Sequence, residues 1–442
     1  MNRKAVRTFP LIMLALTIFV TWAAAGDIPA ILGVKEQSAL VDGWLVRRLE
    51  RILPAVMRRE KIDMWLVVCE EYNEDPVYLT LVPFDSFSAR RLTMLAFYDR
   101  GEAGGVERLC VSRYGIGDLY KSVWKWREED QWQALAREVK ARNPKRIGID
   151  ESDIFAFGDG LTSSKKKRLA AALGPELAQR LVSADRLAVG WLETRLPEEI
   201  EVYDHIVAIA HAIIAEAFST NVITPGVTTK EDVEWWMWQR VCGLGLQTWF
   251  RPSVMIQRPK SGPYQDDPVI HPGDLLHCDF GIIYMRLHTD TQQMAYVLKE
   301  GESEAPKGLQ AALAQGNRLQ DIHLAEMKAG LTGNQVLAAA LKRAEAEGLK
   351  PSIYSHPLGY HGHAAGPIIG QYQHQGPLPG AGEYELHYDT AYSIELNVRA
   401  SVPEWNNQEV MIALEQDAVF TEKGARFLDQ RQTRLHLIKA SR

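Results

Sequence analysis

The first part of the chain alternates helical repeats with short apolar runs. Over residues 47–61 the apolar positions Leu49, Ile52, Leu53, Val56 and Met57 fall on one helical face, which predicts a helix. Residues 63–68 follow as a continuous apolar run and read as a buried strand. Residues 92–98 and 107–111 are two further strands. Residues 131–142 form a helix closed by Asn143-Pro144, and residues 146–150 another strand. Strands alternating with helices indicate a mixed α/β domain. The Lys165-Lys166-Lys167-Arg168 run reads as a solvated helix face. This part carries no Gly-rich phosphate loop, Walker motif or GxSxG elbow.

The pattern changes near Leu192-Glu193-Thr194. Pro197-Glu198-Glu199 then opens a long helix reaching about residue 218: proline suits the first turn and acids suit the positive helix end. An internal echo follows. Gly226-Val227-Thr228 leads through a helix to Gly245-Leu246, and Gly330-Leu331-Thr332 leads through a helix to Gly348-Leu349. Thr228 with Glu231 fits a capping box. Each helix runs into a strand, residues 253–257 in the first copy and 352–355 in the second. Two similar helix–strand units suggest paired halves with a site between them.

Length and charge refine this picture. A chain of 442 residues suggests two domains. The formal net charge of -6 offers no basic surface for a nucleic acid. At the N-terminus Arg3, Lys4 and Arg7 precede an apolar run over residues 9–22 and the small residues Ala23-Ala24-Ala25, the layout of a signal peptide. The run is short for a membrane span. The expectation is therefore cleavage near Gly26, an exported (periplasmic or secreted) protein and no membrane attachment afterwards. The four cysteines, Cys69, Cys110, Cys242 and Cys278, form no CxxC pair or tight framework.

The chemistry gathers in the second half. Pro272-Gly273-Asp274 is a turn signal, and the apolar stretch after it, through Asp279-Phe280-Gly281 to His288-Thr289-Asp290-Thr291, reads as a β-hairpin. Asp279 and Asp290 stand eleven positions apart in apolar surroundings. Buried carboxylates that face each other repel unless a cation lies between them. The simpler reading has Asp279 capping a turn and Asp290 in water. Further along come His356 and His363, seven apart, then Glu395 and Glu415, each in a strand-like run. Asp279, Asp290, His356, Glu395 and Glu415 together make a carboxylate-rich set with one imidazole, which suits a pair of Mn, Co or Zn ions.

On these residues the region 194–442 resembles the pita-bread catalytic domain of the M24 metallopeptidases, which include methionine aminopeptidase, aminopeptidase P and prolidase. The family's ligand order is Asp, Asp, His, Glu, Glu. Asp279 and Asp290 match the Asp pair, His356 the ligand His in the phrase HPLG, and Glu395 the Glu in SIEL. Glu415 matches the last Glu, because Thr421 and Gly424 follow at the family's six and nine positions. The resemblance implies a second domain at residues 26–193 like the smaller domain of creatinase and prolidase. It implies two divalent ions per chain bridging a water, Glu395 as the group that takes its proton, and His363 as the group that steadies the tetrahedral intermediate or the leaving nitrogen. A homodimer follows by analogy alone.

Two departures bear on the substrate. The family's peptidases carry a His upstream of the first Asp. Here that neighbourhood reads Lys260-Ser261-Gly262-Pro263-Tyr264, and His361 and Tyr264 are the candidate substrate-binding residues. In the prolidase-like branch an Arg stands two before the last Glu, where this chain has Ala413. The expected function is hydrolysis of Xaa-Pro peptides. The alternatives are hydrolysis of a non-peptide amide or C–N bond, or a binding module without catalysis.

Overall fold

The computed structural model describes residues 28–439. The expected signal peptide, residues 1–25, lies outside the described residues. Helix α1 spans Val34–Arg59, with Glu36 in its first turn and Arg58 and Arg59 in its last, as the helix dipole favours. It starts well before the expected residue 47, because Val41, Trp44 and Leu45 extend its buried stripe.

Six strands follow: β1 Met64–Glu70, β2 Leu92–Asp99, β3 Val106–Val111, β4 Lys121–Ser122, β5 Ile147–Ile149 and β6 Leu181–Ser183. They form one sheet in the order β4-β3-β2-β1-β5-β6. Strand β1 is central and buried on both faces. Trp65, Val67 and Cys69 pack towards α1 and α4 (Asp185–Glu193). Met64, Leu66 and Val68 pack towards α2 (Gln131–Arg142) and α3 (Ser163–Ala178). This is the two-residue period of a strand covered on both sides. Helix α2 begins at an Asp130–Gln133 capping box and ends on Asn143 in the left-handed conformation. Lys165 departs from the expected solvated face: it is buried and pairs with Glu70 at 3.2 Å.

Helix α5, Pro197–Ala217, starts on proline, with Glu199 accepting from the Leu196 backbone. The echo materialises as α6 (Lys230–Gly243) leading to β7 (Ser253–Gln257) and α8 (Gly333–Ala346) leading to β12 (Pro351–Ile353). The first capping box is Thr229 with Asp232, one residue later than the expected Thr228 and Glu231.

The remaining strands are β8 Leu275–Phe280, β9 Ile283–Tyr284, β10 Leu287–His288, β11 Thr291–Val297, β13 His356–Leu358, β14 Thr390–Val402, β15 Gln408–Thr421, β16 Gly424–Phe427 and β17 His436–Ile438. Among the described residues a nine-stranded sheet runs β12-β14-β15-β11-β8-β7, with β13, β16 and β17 paired to its members. Strands β8 and β11 make the expected hairpin, with β9 and β10 as a smaller one in the connection. Helices α5 and α6 cover one half of the outer face, against Leu276, Cys278 and Phe280. Helix α7 (Lys307–Glu326) and α8 cover the other half, against Ile394, Leu396 and Leu414. The opposite, inner face carries the polar side chains.

A buried knot ties the two sheets together. Arg48 of α1 pairs with Glu199 of α5 at 2.9 Å, and Tyr360 donates to the other oxygen of Glu199. All four cysteines are free. No described helix is long and apolar enough to cross a membrane.

Candidate metal centre

One row of residues crosses the inner face. Ser253 lies opposite Asp279, Asp279 opposite Gln292, Gln292 opposite Glu415, and Glu415 opposite Glu395. Asp290 stands two residues before Gln292 on the same face, so the two aspartates are diagonal neighbours across the hairpin. Strand β13 pairs with β14 and brings His356 over the row. Hydrogen bonding thus converges five side chains that the sequence spreads over 137 positions, from Asp279 to Glu415 (415 − 279 + 1).

With His363 they form three overlapping groups, Asp290/His356/His363, His356/Glu395/Glu415 and Asp279/Asp290/Glu415. Within each, one donor atom per residue lies within 4.8 Å of the others. His356 Nε2 is 3.6 Å from Asp290 Oδ2, 3.6 Å from Glu415 Oε1 and 3.9 Å from Glu395 Oε2. His356 Nδ1 lies 3.1 Å from the Pro357 carbonyl. A carbonyl only accepts, so Nδ1 donates to it, and Nε2 is the nitrogen turned to the carboxylates. Oδ1 of Asp279, Oδ1 of Asp290 and Nε2 of His356 are buried without a hydrogen-bond partner. Unpaired acceptors of this kind are costly unless a cation satisfies them. The donor set, four carboxylates and one imidazole, fits divalent ions.

The electrostatics agree. Burial pushes Asp279 and Asp290 well above the usual carboxylate range, and the nearby Glu415 adds to the push. Glu395 is raised by burial, then by Glu415 and Asp279. Carboxylates this crowded either hold protons or hold metal.

His363 also reaches the site. Its ring centre is 4.7 Å from that of His356 and 5.0 Å from that of Trp249. Burial, then His356, lowers its pKa. The loop passes so close to Trp249 at Gly362 that a β-carbon there would lie 2.2 Å from the indole, so only glycine fits. Beside the centre lies a cavity of about 720 Å³, lined by Met255, Tyr354, Ile368, Tyr372, Met411 and Ala413 together with the site residues.

The other two candidates are elsewhere. His361 stacks on Phe157 of the N-terminal half at 4.0 Å, and Tyr264 stacks on His271, half-exposed. Neither lines the cavity. Arg258 fixes the Tyr264 loop away from it by donating to the carbonyls of Tyr264, Asp267 and Val269. Three residues that motif matching passes over belong to the centre. Gln292 donates to Glu395 and Glu415, His277 bonds Gln292, and Asp417 accepts from the Asp290 backbone. Each lies two residues from a ligand, so the strand period was the signal.

A carboxylate–imidazole cluster set on the inner face of a curved sheet, beside an open cavity, defines a metal-dependent hydrolase. The model of metallopeptidase family M24 matches residues 201–424, and the chain belongs to that family. The fold is shared with solved structures of low sequence identity. An X-Pro aminopeptidase from Thermotoga maritima is 17% identical with a TM-score of 0.61, covering 87% of this chain and 99% of its own. An Xaa-Pro dipeptidase from Bacillus anthracis is 17% identical with a TM-score of 0.60, covering 89% and 99%. The dipeptidase PepE from Mycobacterium ulcerans is 18% identical with a TM-score of 0.60, covering 90% and 99%. No curated protein matches the chain.

Proposed function

We propose that this M24 metallopeptidase is an exported hydrolase of peptides or proline-type amides that holds two divalent ions, Mn, Co or Zn, on Asp279, Asp290, His356, Glu395 and Glu415. The observation that carries this reading is His356 Nε2 facing three carboxylates within 3.9 Å while it and one oxygen of each aspartate are buried without a hydrogen-bond partner. The sharing of Asp290, His356 and Glu415 between ligand groups supports a pair of ions held by common ligands. The likeness in fold to an X-Pro aminopeptidase and an Xaa-Pro dipeptidase supports the substrate class. Bound there, divalent ions would supply Lewis-acid polarisation and a water of lowered pKa.

The protein's own groups supply the rest. Glu395 faces the cavity and takes the proton of the attacking water, then returns it to the leaving nitrogen. His363, held neutral by its surroundings, donates a hydrogen bond to the developing oxyanion. The apolar wall receives the side chain next to the scissile bond. Export rests on the Arg3–Arg7 charges, the apolar run and Ala23-Ala24-Ala25.

The test is metal analysis of the purified protein, followed by hydrolysis of an Xaa-Pro peptide panel before and after chelation. Close to two ions per chain and activity that chelation abolishes are expected. Full activity in metal-free protein refutes the reading. N-terminal sequencing of exported material should find a start near Gly26, and an intact Met1 on cytosolic protein refutes export.

A further inference from the structure

The segment that joins β5 to α3 leaves the N-terminal sheet and reaches the catalytic half. It is pinned at its base. Ser152 Oγ donates to Asp185 Oδ2 at 3.0 Å and accepts from the Phe155 backbone at 2.9 Å. Gly158 packs so closely on the start of α4 that a β-carbon there would lie 2.9 Å from Asp185 Cα. Phe155 meets Tyr384 edge to face at 5.4 Å. Between these fixed points stands Phe157. Its ring lies flat on His361, with 4.0 Å between centres and 18° between planes. His361 Nε2 is buried without a hydrogen-bond partner, so the stack, rather than a bond to that nitrogen, fixes the ring.

The same loop carries His363. Gly362, between the two histidines, is pressed on Trp249, and the indole meets the His363 ring edge to face at 5.0 Å. Trp249 is itself held, because Nε1 donates to the Thr289 carbonyl at 3.0 Å. The loop is thus gripped on two sides, by Trp249 from the catalytic half and by Phe157 from the N-terminal half. Glycine at its centre leaves the backbone free to turn once a grip is lost.

We propose that Phe157 is a positioning residue for the hydrolysis: it acts through His361 to hold the loop so that His363 reaches the reacting carbonyl, and it ties the N-terminal half to turnover. The inference rests on the metallopeptidase reading above and on the part His363 has in it. Phe157 does not line the cavity, so its effect falls on turnover and not on substrate binding. A small misplacement of a reacting group costs up to about a hundredfold in rate.

The test uses the full chain loaded with Mn²⁺ and an Xaa-Pro peptide. Phe157→Ala should lower kcat about tenfold or more, with KM and Mn²⁺ content unchanged. Hydrogen exchange over residues 359–364 should quicken while exchange in β8 and β14 stays as in the wild type. Phe157→Tyr keeps the ring and should keep the rate. Phe157→Leu fills the space without a ring face; it should lose rate with the alanine variant, and it serves where that variant does not fold. His361→Ala should cost a similar factor, and the double variant no more than either alone, because the two rings act as one unit. Wild-type kcat in the folded alanine or leucine variant, or losses that multiply in the double variant, overturns the positioning role and leaves the metallopeptidase reading standing. Wild type that hydrolyses no peptide overturns that reading, and the positioning role with it.

Discussion

His356 Nε2 lies 3.6 Å from Asp290 Oδ2 and has no hydrogen-bond partner, while Nδ1 on the far side of the ring lies 3.1 Å from the Pro357 carbonyl. The pair is arranged for a cation. Asp290 also belongs to a ligand group with Asp279 and Glu415. Asp290→Asn removes one negative charge and turns one oxygen into a donor, at nearly unchanged volume. Metal content should fall below two ions per chain, and kcat/KM should drop by at least about a hundredfold, the scale of a misplaced reacting group. Elemental analysis and peptide hydrolysis on the same preparation check both. A variant with full metal and full activity places the centre elsewhere.

Strand periodicity explains how much of this centre was legible. Asp279, Glu395 and Glu415 sit in apolar runs, where an isolated acid stands out, and Asp290 is found by its eleven-residue spacing from Asp279. Gln292, His277 and Asp417 sit in the same runs but are not family ligands, and only counting by two from the known residues finds them. Tyr264 and His361 were chosen by position in the chain. Burial and loop direction decide otherwise: Tyr264 has a left-handed backbone, φ 70°, in a loop held by Arg258, and the His361 ring turns to Phe157. The helix ends at Arg142 and the start at Pro197 were readable because Asn143 and Pro197 fix backbone angles locally. The early start of α1 and the burial of Lys165 depend on tertiary packing, which no local signal carries.

Glu193 gives the molecule a pH-sensitive brace. It is buried at the end of α4, accepts from Tyr384 at 3.2 Å, and lies close beneath Gly366 in the segment after His363. Burial raises its pKa from 4.5 to about 8, although Arg59 and Tyr384 pull it down. A raised carboxyl prefers to be protonated in the folded state. Its contribution to stability is therefore complete below pH 4.5 and is lost as pH rises through about 8. Glu193→Gln fixes the neutral form and should flatten this loss. Urea midpoints measured across that window should fall more steeply for wild type than for the variant. Parallel curves would show that Glu193 does not titrate there.

The Arg48–Glu199 pair holds α1 against the catalytic half, with both side chains fully buried. Arg48 also donates to the Thr194 carbonyl at 2.6 Å, and its guanidinium lies 5.0 Å from the Tyr360 ring centre. Arg48→Ala leaves Glu199 with the more distant Arg195 at 3.6 Å. Removing one partner of a buried pair costs about 3–5 kcal/mol. Denaturant unfolding should register a loss of that size. A change under about 1 kcal/mol would show that Arg195 takes over the role.

The cavity beside the centre carries a prediction about substrate. Among the described residues its lining has no Lys or Arg, and its acids, Asp279 and Glu395, are proposed ligands. Ala413, two residues before Glu415 on β15, lines the wall. An Xaa-Pro dipeptide bound with its amide at the centre would bring its free carboxylate into this wall. Burying that charge against an apolar wall without a cationic partner is costly. One further residue, or an amide cap, removes the charge from the wall at no loss of apolar contact with Met255, Tyr372 and Met411. We expect kcat/KM on amidated or extended Xaa-Pro substrates to exceed that on the parent dipeptides by about tenfold or more. Ala413→Arg should narrow the gap by supplying a partner for the carboxylate. The measurement is a matched panel of free, amidated and extended substrates with Mn-loaded wild type and variant. Dipeptide efficiency at about 10⁴ M⁻¹s⁻¹ or above, equal to that on the capped forms, would mean that the wall does not select against the carboxylate.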